Sequence, residues 1–234
     1  MLVKVADLFV EVSEEGGIAP LLEKYRTAEK RKADVVIDAS RYRAQSRESL
    51  SPFNCAYVES SAQFSYWLPR FSGMMLHASA VELDGRAYLF SGPCGIGKST
   101  HTRLWKEEFP SSVVFNDDKP ALRLIDGRWF AYGTPWSGKD HVNANVKASL
   151  AGICFLKRGG ENSIRTLSVK EALPRLIHQT MRVFKEENEL DLMLRAVASL
   201  AQNIPIYELS ALPNAQAARL THDTMLLGAK EAGL

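Results

Sequence analysis

The sequence predicts a mixed α/β protein, and three observations lead there. Short apolar runs are joined by Asp-Gly turns at 84–85 and 126–127, and a glycine-rich segment falls between one such run and a helical stretch. The last third of the chain carries apolar residues at helical spacing. With 234 residues and 46% hydrophobic content, the chain can bury a core without a disulfide or a structural metal.

From the N-terminus, residues 1–12 alternate apolar and polar side chains and read as strand, as does Asp34-Val-Val-Ile-Asp38. Between them, Ile18 to Lys32 is expected as an amphipathic helix beginning at Pro20. Lys30-Arg31-Lys32 would form its solvated face. The polar, turn-rich stretch Ser40 to Pro69 is assigned to a small N-terminal sheet region. Residues 1–70 are thus set apart as a small α+β region from a main domain over 71–234.

The signals sharpen from residue 74. Met74 to Leu83, Asp84-Gly85 and Arg86 to Phe90 read as strand, two-residue turn and strand. Ala121 to Ile125, Asp126-Gly127 and Arg128 to Tyr132 repeat the pattern. Between the hairpins come a helix over Lys98 to Glu108 and a buried strand at Val113-Val114-Phe115. The longest apolar run, Ala148 to Leu156, reads as another buried strand. Ser168 to Glu171 has capping-box spacing and opens a helix with Leu173, Leu176, Ile177, Met181 and Phe184 on its apolar stripe. Leu190, Met193, Leu194, Val197 and Leu200 continue at helical spacing. Ile204 to Leu209 reads as strand, and Pro213-Asn214 begins a last helix with Ala217, Leu220 and Met225. These stripes read as core.

Composition removes several function classes. Lys plus Arg number 29 against 27 Asp plus Glu, a net charge of +2, with no basic stripe to track nucleic acid. Cys55, Cys94 and Cys154 are odd in number and form no CxxC pair, against a disulfide scaffold or zinc ribbon. No apolar run approaches the roughly 20 residues that span a bilayer, and the N-terminus has no signal-peptide core. A soluble, cytoplasmic protein is expected, with neither nucleic acid nor membrane as partner.

Residues 92–99, Gly-Pro-Cys-Gly-Ile-Gly-Lys-Ser, satisfy G-x-x-x-x-G-K-[ST] after an apolar strand and before a helix. Glycines 92, 95 and 97 let backbone N–H groups turn inward around a polyphosphate. The helix beginning near Lys98 offers unpaired N–H donors and a positive dipole end. Lys98 adds a point charge, and Ser99 a hydroxyl for Mg²⁺. The nucleotide contacts are therefore expected from Gly92, Pro93, Cys94, Gly95, Ile96, Gly97, Lys98, Ser99 and Thr100. The plainer alternative is an ordinary glycine-rich strand-to-helix turn.

The two hairpins converge on this loop. A two-residue turn at Asp84-Gly85 sets His77 opposite Gly92. The same treatment of Asp126-Gly127 sets Asp118 opposite Pro135 and Asp117 opposite Trp136, within a second glycine-containing loop, Gly133 to Lys139. Of the acidic pair, one carboxylate could hold Mg²⁺ and the other take a proton from an attacking hydroxyl. Both reach one site only if the chain bends at residue 117, a bend made plausible by Lys119-Pro120. The pair could instead be a polar strand end or helix cap, and His77 a satisfied strand histidine. Lys139 and His141 could contact transferred phosphate or an acidic substrate, or belong to a tight connection. Cys94 is read as a small tolerated side chain, and His101, His178 and His222 receive no role.

Leu76-His-Ala-Ser-Ala80, Gly92 to Thr100 and Asn116-Asp-Asp118 together resemble the HPr kinase and ATP-dependent phosphoenolpyruvate carboxykinase superfamily. The resemblance covers roughly residues 70 to 220. The Gly-Thr-Pro-Trp-Ser-Gly-Lys segment at 133–139 looks closest to its small HPr-serine-kinase-like members. A Glu-Ile-Arg-Gly-Leu-Gly-like segment, which HPr kinases proper carry after the acidic pair, is not found here.

The resemblance implies a P-loop-containing, carboxykinase-like mixed sheet core with C-terminal helices, using ATP and Mg²⁺. Asp118 and Ser99 would serve the metal, Asp117 would be the base, and His77 would lie near metal and γ-phosphate. The expected activity is phosphoryl transfer to a hydroxyl of a protein, peptide or small molecule, foremost a serine. Homo-oligomers are also suggested. A nucleotide- or pyrophosphate-binding regulatory module is the second reading, and carboxykinase-like chemistry the third.

Overall fold

The long apolar run forms the axis of the protein. The computed structural model describes residues 1–40, 50–183 and 187–234. Within it β10 (Lys147–Arg158) is almost wholly buried along its middle. On one side it pairs in parallel with β6 (Arg86–Ser91), and β6 pairs antiparallel with β5 (Ala78–Leu83). On its other side β10 serves two partners in turn. Residues 147–149 pair antiparallel with β9 (Arg128–Tyr132), and residues 153–158 pair in parallel with β12 (Ile206–Ala211). The sheet therefore forks. One wing runs through β9 to β8 (Ala121–Ile125) and β4 (Gly73–Met75), and the other through β12 to β11 (Ser163–Thr166).

Alternation along the strands gives the sheet two apolar faces. Ala78, Ala80, Leu89 and Phe155 point to the face covered by α4 (Val169–Gln179) and α5 (Glu187–Asn203). Val81, Tyr88, Phe90 and Cys154 point to the face covered by α3 (Lys98–Glu108) and α6 (Ala215–Glu231). Both Asp-Gly turns hold the left-handed φ of primed turns, 51° and 77° at 84–85 and 48° and 78° at 126–127. The expected registers follow, from Leu83 opposite Arg86 to Ala78 opposite Ser91, and from Ile125 opposite Arg128 to Ala121 opposite Tyr132. Ser168 and Glu171 form the capping box of α4, and Asn214 caps α6.

The N-terminal region differs most from expectation. Residues 1–12 form a hairpin, β1 (Leu2–Val5) and β2 (Leu8–Val12), turning at Ala6-Asp7, with β3 (Val35–Ile37) parallel to β2. The helix expected over Ile18 to Lys32 is only α1 (Ala19–Leu22) and a single 3₁₀ turn, Glu23–Tyr25. Strand contacts end it there, because Thr27 N–H donates to Leu2 O and Arg26 bridges Val3. Lys30-Arg31-Lys32 is exposed but not helical.

Within Ser40 to Pro69, residues 41–49 lie outside the described part. The rest is no sheet but a 16-residue helix, α2 (Pro52–Trp67). Ser51 caps it and Pro52 starts it, yet its buried face is largely Cys55, Ala56, Ser60, Ser61 and Ser65. A helix that buries serines shows no apolar stripe.

Smaller corrections have similar causes. Met74 to Leu83 is two strands on different parts of the sheet, β4 on β8 and β5 on β6, split at Leu76-His77. In β7 (Val113–Asn116), an edge strand beside β5, Val113 is exposed. On α5, Met193, Val197 and Leu200 are core, whereas Leu190 and Leu194 face outward. Phe184 lies outside the described residues. The core of the N-terminal sheet is continuous with Met75, Ala121, Tyr132 and Trp136 of the first wing. Among the described residues no helix is long and apolar enough to cross a membrane.

Candidate functional site

β6 delivers the chain from a buried strand into residues 92–97. Gly92 and Gly97 hold φ of +143° and +114°, a region that L side chains rarely adopt. A Cβ on Gly92 would also meet Ile96 Cγ2 and Leu156 O at 3.3 Å. Gly97 ends the loop as the N-cap of α3, and no side chain caps that helix. Its first N–H groups are thus left for another acceptor. The Lys98 side chain curls back, Nζ donating to Gly92 O at 3.1 Å and Pro93 O at 3.2 Å. Burial holds its pKa below the ordinary lysine value.

Facing the loop, Asn116 ends β7 and turns the chain. Its Oδ1 accepts from the backbone N–H of Asp118 at 3.0 Å and of Lys119 at 2.7 Å, while Nδ2 donates to Thr134 O at 3.1 Å. This side-chain turn makes the bend at residue 117 and brings both carboxylates to one cavity. Asp117 Oδ1 accepts from Gly138 N–H at 2.5 Å. It therefore meets Gly138 rather than the expected Trp136. The ladder stops at Ala121–Tyr132, and the following loop is free to shift. Burial raises the Asp117 pKa, with Asp118 and Asp140 adding to the rise and the Gly138 N–H opposing it.

Asp118 lies between two nitrogens. Lys119 Nζ donates to Oδ2 at 2.8 Å, and His77 Nε2 is 3.4 Å from Oδ1. His77 sits where the chain crosses from β4 to β5. Its Nδ1 lies 2.9 Å from Gln179 Oε1, and its carbonyl accepts from Ser91 Oγ at 2.8 Å. Burial acts to lower the Lys119 pKa, but Asp118 and Tyr57 outweigh it and the net shift is upward.

One cavity of about 760 Å³ is lined by His77, Cys94, Gly95, Gly97, Lys98, Ser99, Thr100, Asp117, Asp118, Lys139 and His141. Gly92, Pro93 and Ile96 do not line it. Gly92 and Pro93 border a separate hollow beside Arg175 and His178, and Ile96 faces a groove behind the loop. The sequence reading missed Phe53, Asn54 and Tyr57, which α2 supplies to the same cavity, and gave Lys119 no role there. It also missed the Gln179 contact. Only Asn116 carried a local signal, as an Asn two residues before the end of a turn.

A mixed α/β protein with a glycine-rich strand-to-helix loop facing an acidic pair across one cleft is the class that this geometry defines. Residues 59–214, more than half of the chain, match the family described as SynChlorMet cassette protein ScmC, and the chain belongs to that family. No protein of curated function is similar enough in sequence to match. Among solved structures, the HPr(Ser) kinase/phosphatase from Coxiella burnetii is similar over 68% of this chain and 96% of that one, at 12% identity and a TM-score of 0.37. The likeness is loose.

Proposed function

We propose that the protein is an ATP- and Mg²⁺-dependent phosphotransferase on a carboxykinase-like core, moving the γ-phosphoryl group to a hydroxyl, foremost a serine of a protein or peptide. One observation carries the reading. A half-buried carboxylate with a raised pKa, Asp117, shares a cavity with an uncapped helix N-terminus, Lys98 and Ser99. That set joins an anion site to a base across one open space.

In this reading the triphosphate lies along 94–100, with the helix N–H groups and Lys98 taking its charge. The nucleoside is assigned to the groove of about 480 Å³ behind the loop, walled by Ile96, Leu104, Leu156 and Leu212. The acceptor oxygen gives its proton to Asp117 as it bonds to phosphorus, and the bond to the ADP oxygen breaks. Lys139 and His141, exposed at the rim, are left to meet the acceptor.

Ser99 and Asp118 offer oxygen donors, which suit a hard cation. Among the described residues, no group of three or more His, Cys, Asp or Glu could hold an ion alone, so phosphate oxygens would complete the shell. Bound there, Mg²⁺ would neutralise charge on the β- and γ-phosphates.

The test is transfer of label from γ-labelled ATP, with Mg²⁺, to a fractionated cell extract and to free serine. Labelled product that disappears with Lys98→Ala and with Asp117→Asn supports the assignment. Tight nucleotide binding that Lys98→Ala removes, with no transfer, would replace it by the regulatory-module reading.

A further inference from the structure

The wall of the cleft opposite the glycine-rich loop is braced by the N-terminal region, which adds Phe53, Asn54 and Tyr57 to it. Tyr57, Ser60, Ser61 and Phe64 lie on one face of α2 at helical spacing. Trp136 docks on that face, its ring 4.8 Å from Phe64 and its Nε1 donating to Ser60 Oγ at 2.9 Å. One turn earlier on α2, the Tyr57 hydroxyl donates to Ser137 O at 2.5 Å. Further along the loop, Lys24 Nζ donates to Asn143 O at 3.0 Å. The loop carrying Gly138 is thus held from three points on residues that precede the main sheet.

The hydrogen-bond directions around Tyr57 follow from its chemistry. Its single proton goes to Ser137 O, so its oxygen can only accept from Lys119 Nζ, 3.1 Å away. The ammonium also lies 4.7 Å from the Tyr57 ring centroid, a cation–π contact. Its second donor goes to Asp118 Oδ2 at 2.8 Å. Lys119 is thereby fixed from below by a phenol and from the side by a carboxylate, in a largely buried position. Asp118 Oδ2 is occupied, and Oδ1 is the oxygen that faces His77. The chain α2–Tyr57–Lys119–Asp118 sets the rotation of the carboxylate.

We infer that Tyr57 and Lys119 are positioning residues that aim Asp118 Oδ1 at the metal–nucleotide complex, making α2 a working part of the cleft. The inference rests on the phosphotransferase reading, because only there does Asp118 have a metal to meet. A merely structural ion pair would affect stability without changing how the cleft responds to Mg²⁺.

The experiment measures binding of a fluorescent ATP analogue to the full chain, once in EDTA and once across a Mg²⁺ titration, with a thermal melt of each variant. Lys119→Met is expected to raise the half-saturating Mg²⁺ concentration about tenfold, in line with other outer-shell changes, measured relative to that variant's own affinity in EDTA. Tyr57→Phe keeps the ring and removes one oxygen, so a smaller shift in the same direction is expected. It also carries the test if Lys119→Met does not fold. Lys119→Arg, which restores charge, should recover part of the effect. An unchanged or tighter Mg²⁺ response in Lys119→Met and Tyr57→Phe would overturn the inference. Wild-type protein that binds the analogue without any Mg²⁺ response would overturn the phosphotransferase reading itself, and the inference with it.

Discussion

The two walls of the cleft are made in opposite ways. The glycine-rich-loop wall is one contiguous stretch, in which strand, glycines, lysine and helix follow each other within residues 86–108. The opposite wall is assembled from Tyr57 on α2, Asn116 to Lys119 after β7, and the loop 133–143, joined by tertiary hydrogen bonds and by the packing of Trp136 against Phe64. A wall encoded locally should survive damage elsewhere. A wall assembled at a distance should fail as a unit.

The largest expected effect breaks the local wall. Lys98→Ala should lower label transfer by about 10²–10³-fold, the range seen when one preorganised charge-stabilising group is removed, while the melting temperature changes little. Trp136→Ala attacks the other wall. Loss of this buried ring should lower stability by about 3–5 kcal/mol, read by denaturant unfolding. The response to Mg²⁺ should be lost, while binding of an ATP analogue in EDTA remains. If both kinds of binding fall together, the walls are not separable.

A pH titration of stability reports on α3, the helix that follows the glycine-rich loop. His101 on α3 is buried, and burial lowers its pKa to about 4 from 6.5. Its Nε2 is 3.1 Å from Thr221 Oγ1, so it joins α3 to α6. The unfolded chain takes up this proton first as pH falls. Stability is therefore full above pH 6.5, declines down to about pH 4, and loses no more from this group below that. The loss is on the order of 3 kcal/mol. Unfolding curves for the wild type and His101→Gln should differ in slope between those pH values. The smallest effect is local strain. Gly97→Ala, at φ +114°, should cost about 1–3 kcal/mol and weaken analogue binding in EDTA, with no shift in the Mg²⁺ midpoint.

The same contrast explains what the sequence revealed. The strand-to-helix turn at Gly92 to Ser99, the two Asp-Gly hairpins and the Ser168–Glu171 capping box are local patterns, each with its cause within a few residues, and their backbone follows the expected course. Asp117 and Asp118 were legible as an acidic pair. Their convergence depends on Asn116, whose side chain supplies the turn in place of Lys119-Pro120. Helix α2 was not legible, because it buries serines and alanine and so shows no apolar period. With it went Tyr57 and the role of Lys119, which joins the neighbouring Asp118 to a phenol 62 positions away. Leu190 and Leu194 show the reverse error, since helical spacing placed them in a core that Met193, Val197 and Leu200 already fill.

The most direct measurement is the kcat for label transfer by Asp117→Asn beside the wild type, with ATP-analogue affinity taken on the same samples. The amide keeps the shape of the side chain but cannot take the acceptor's proton. A fall in kcat of about 10²–10⁴-fold at unchanged affinity is the predicted result. Transfer at the wild-type rate would contradict the account, because the cleft would then move phosphate without the base proposed for it.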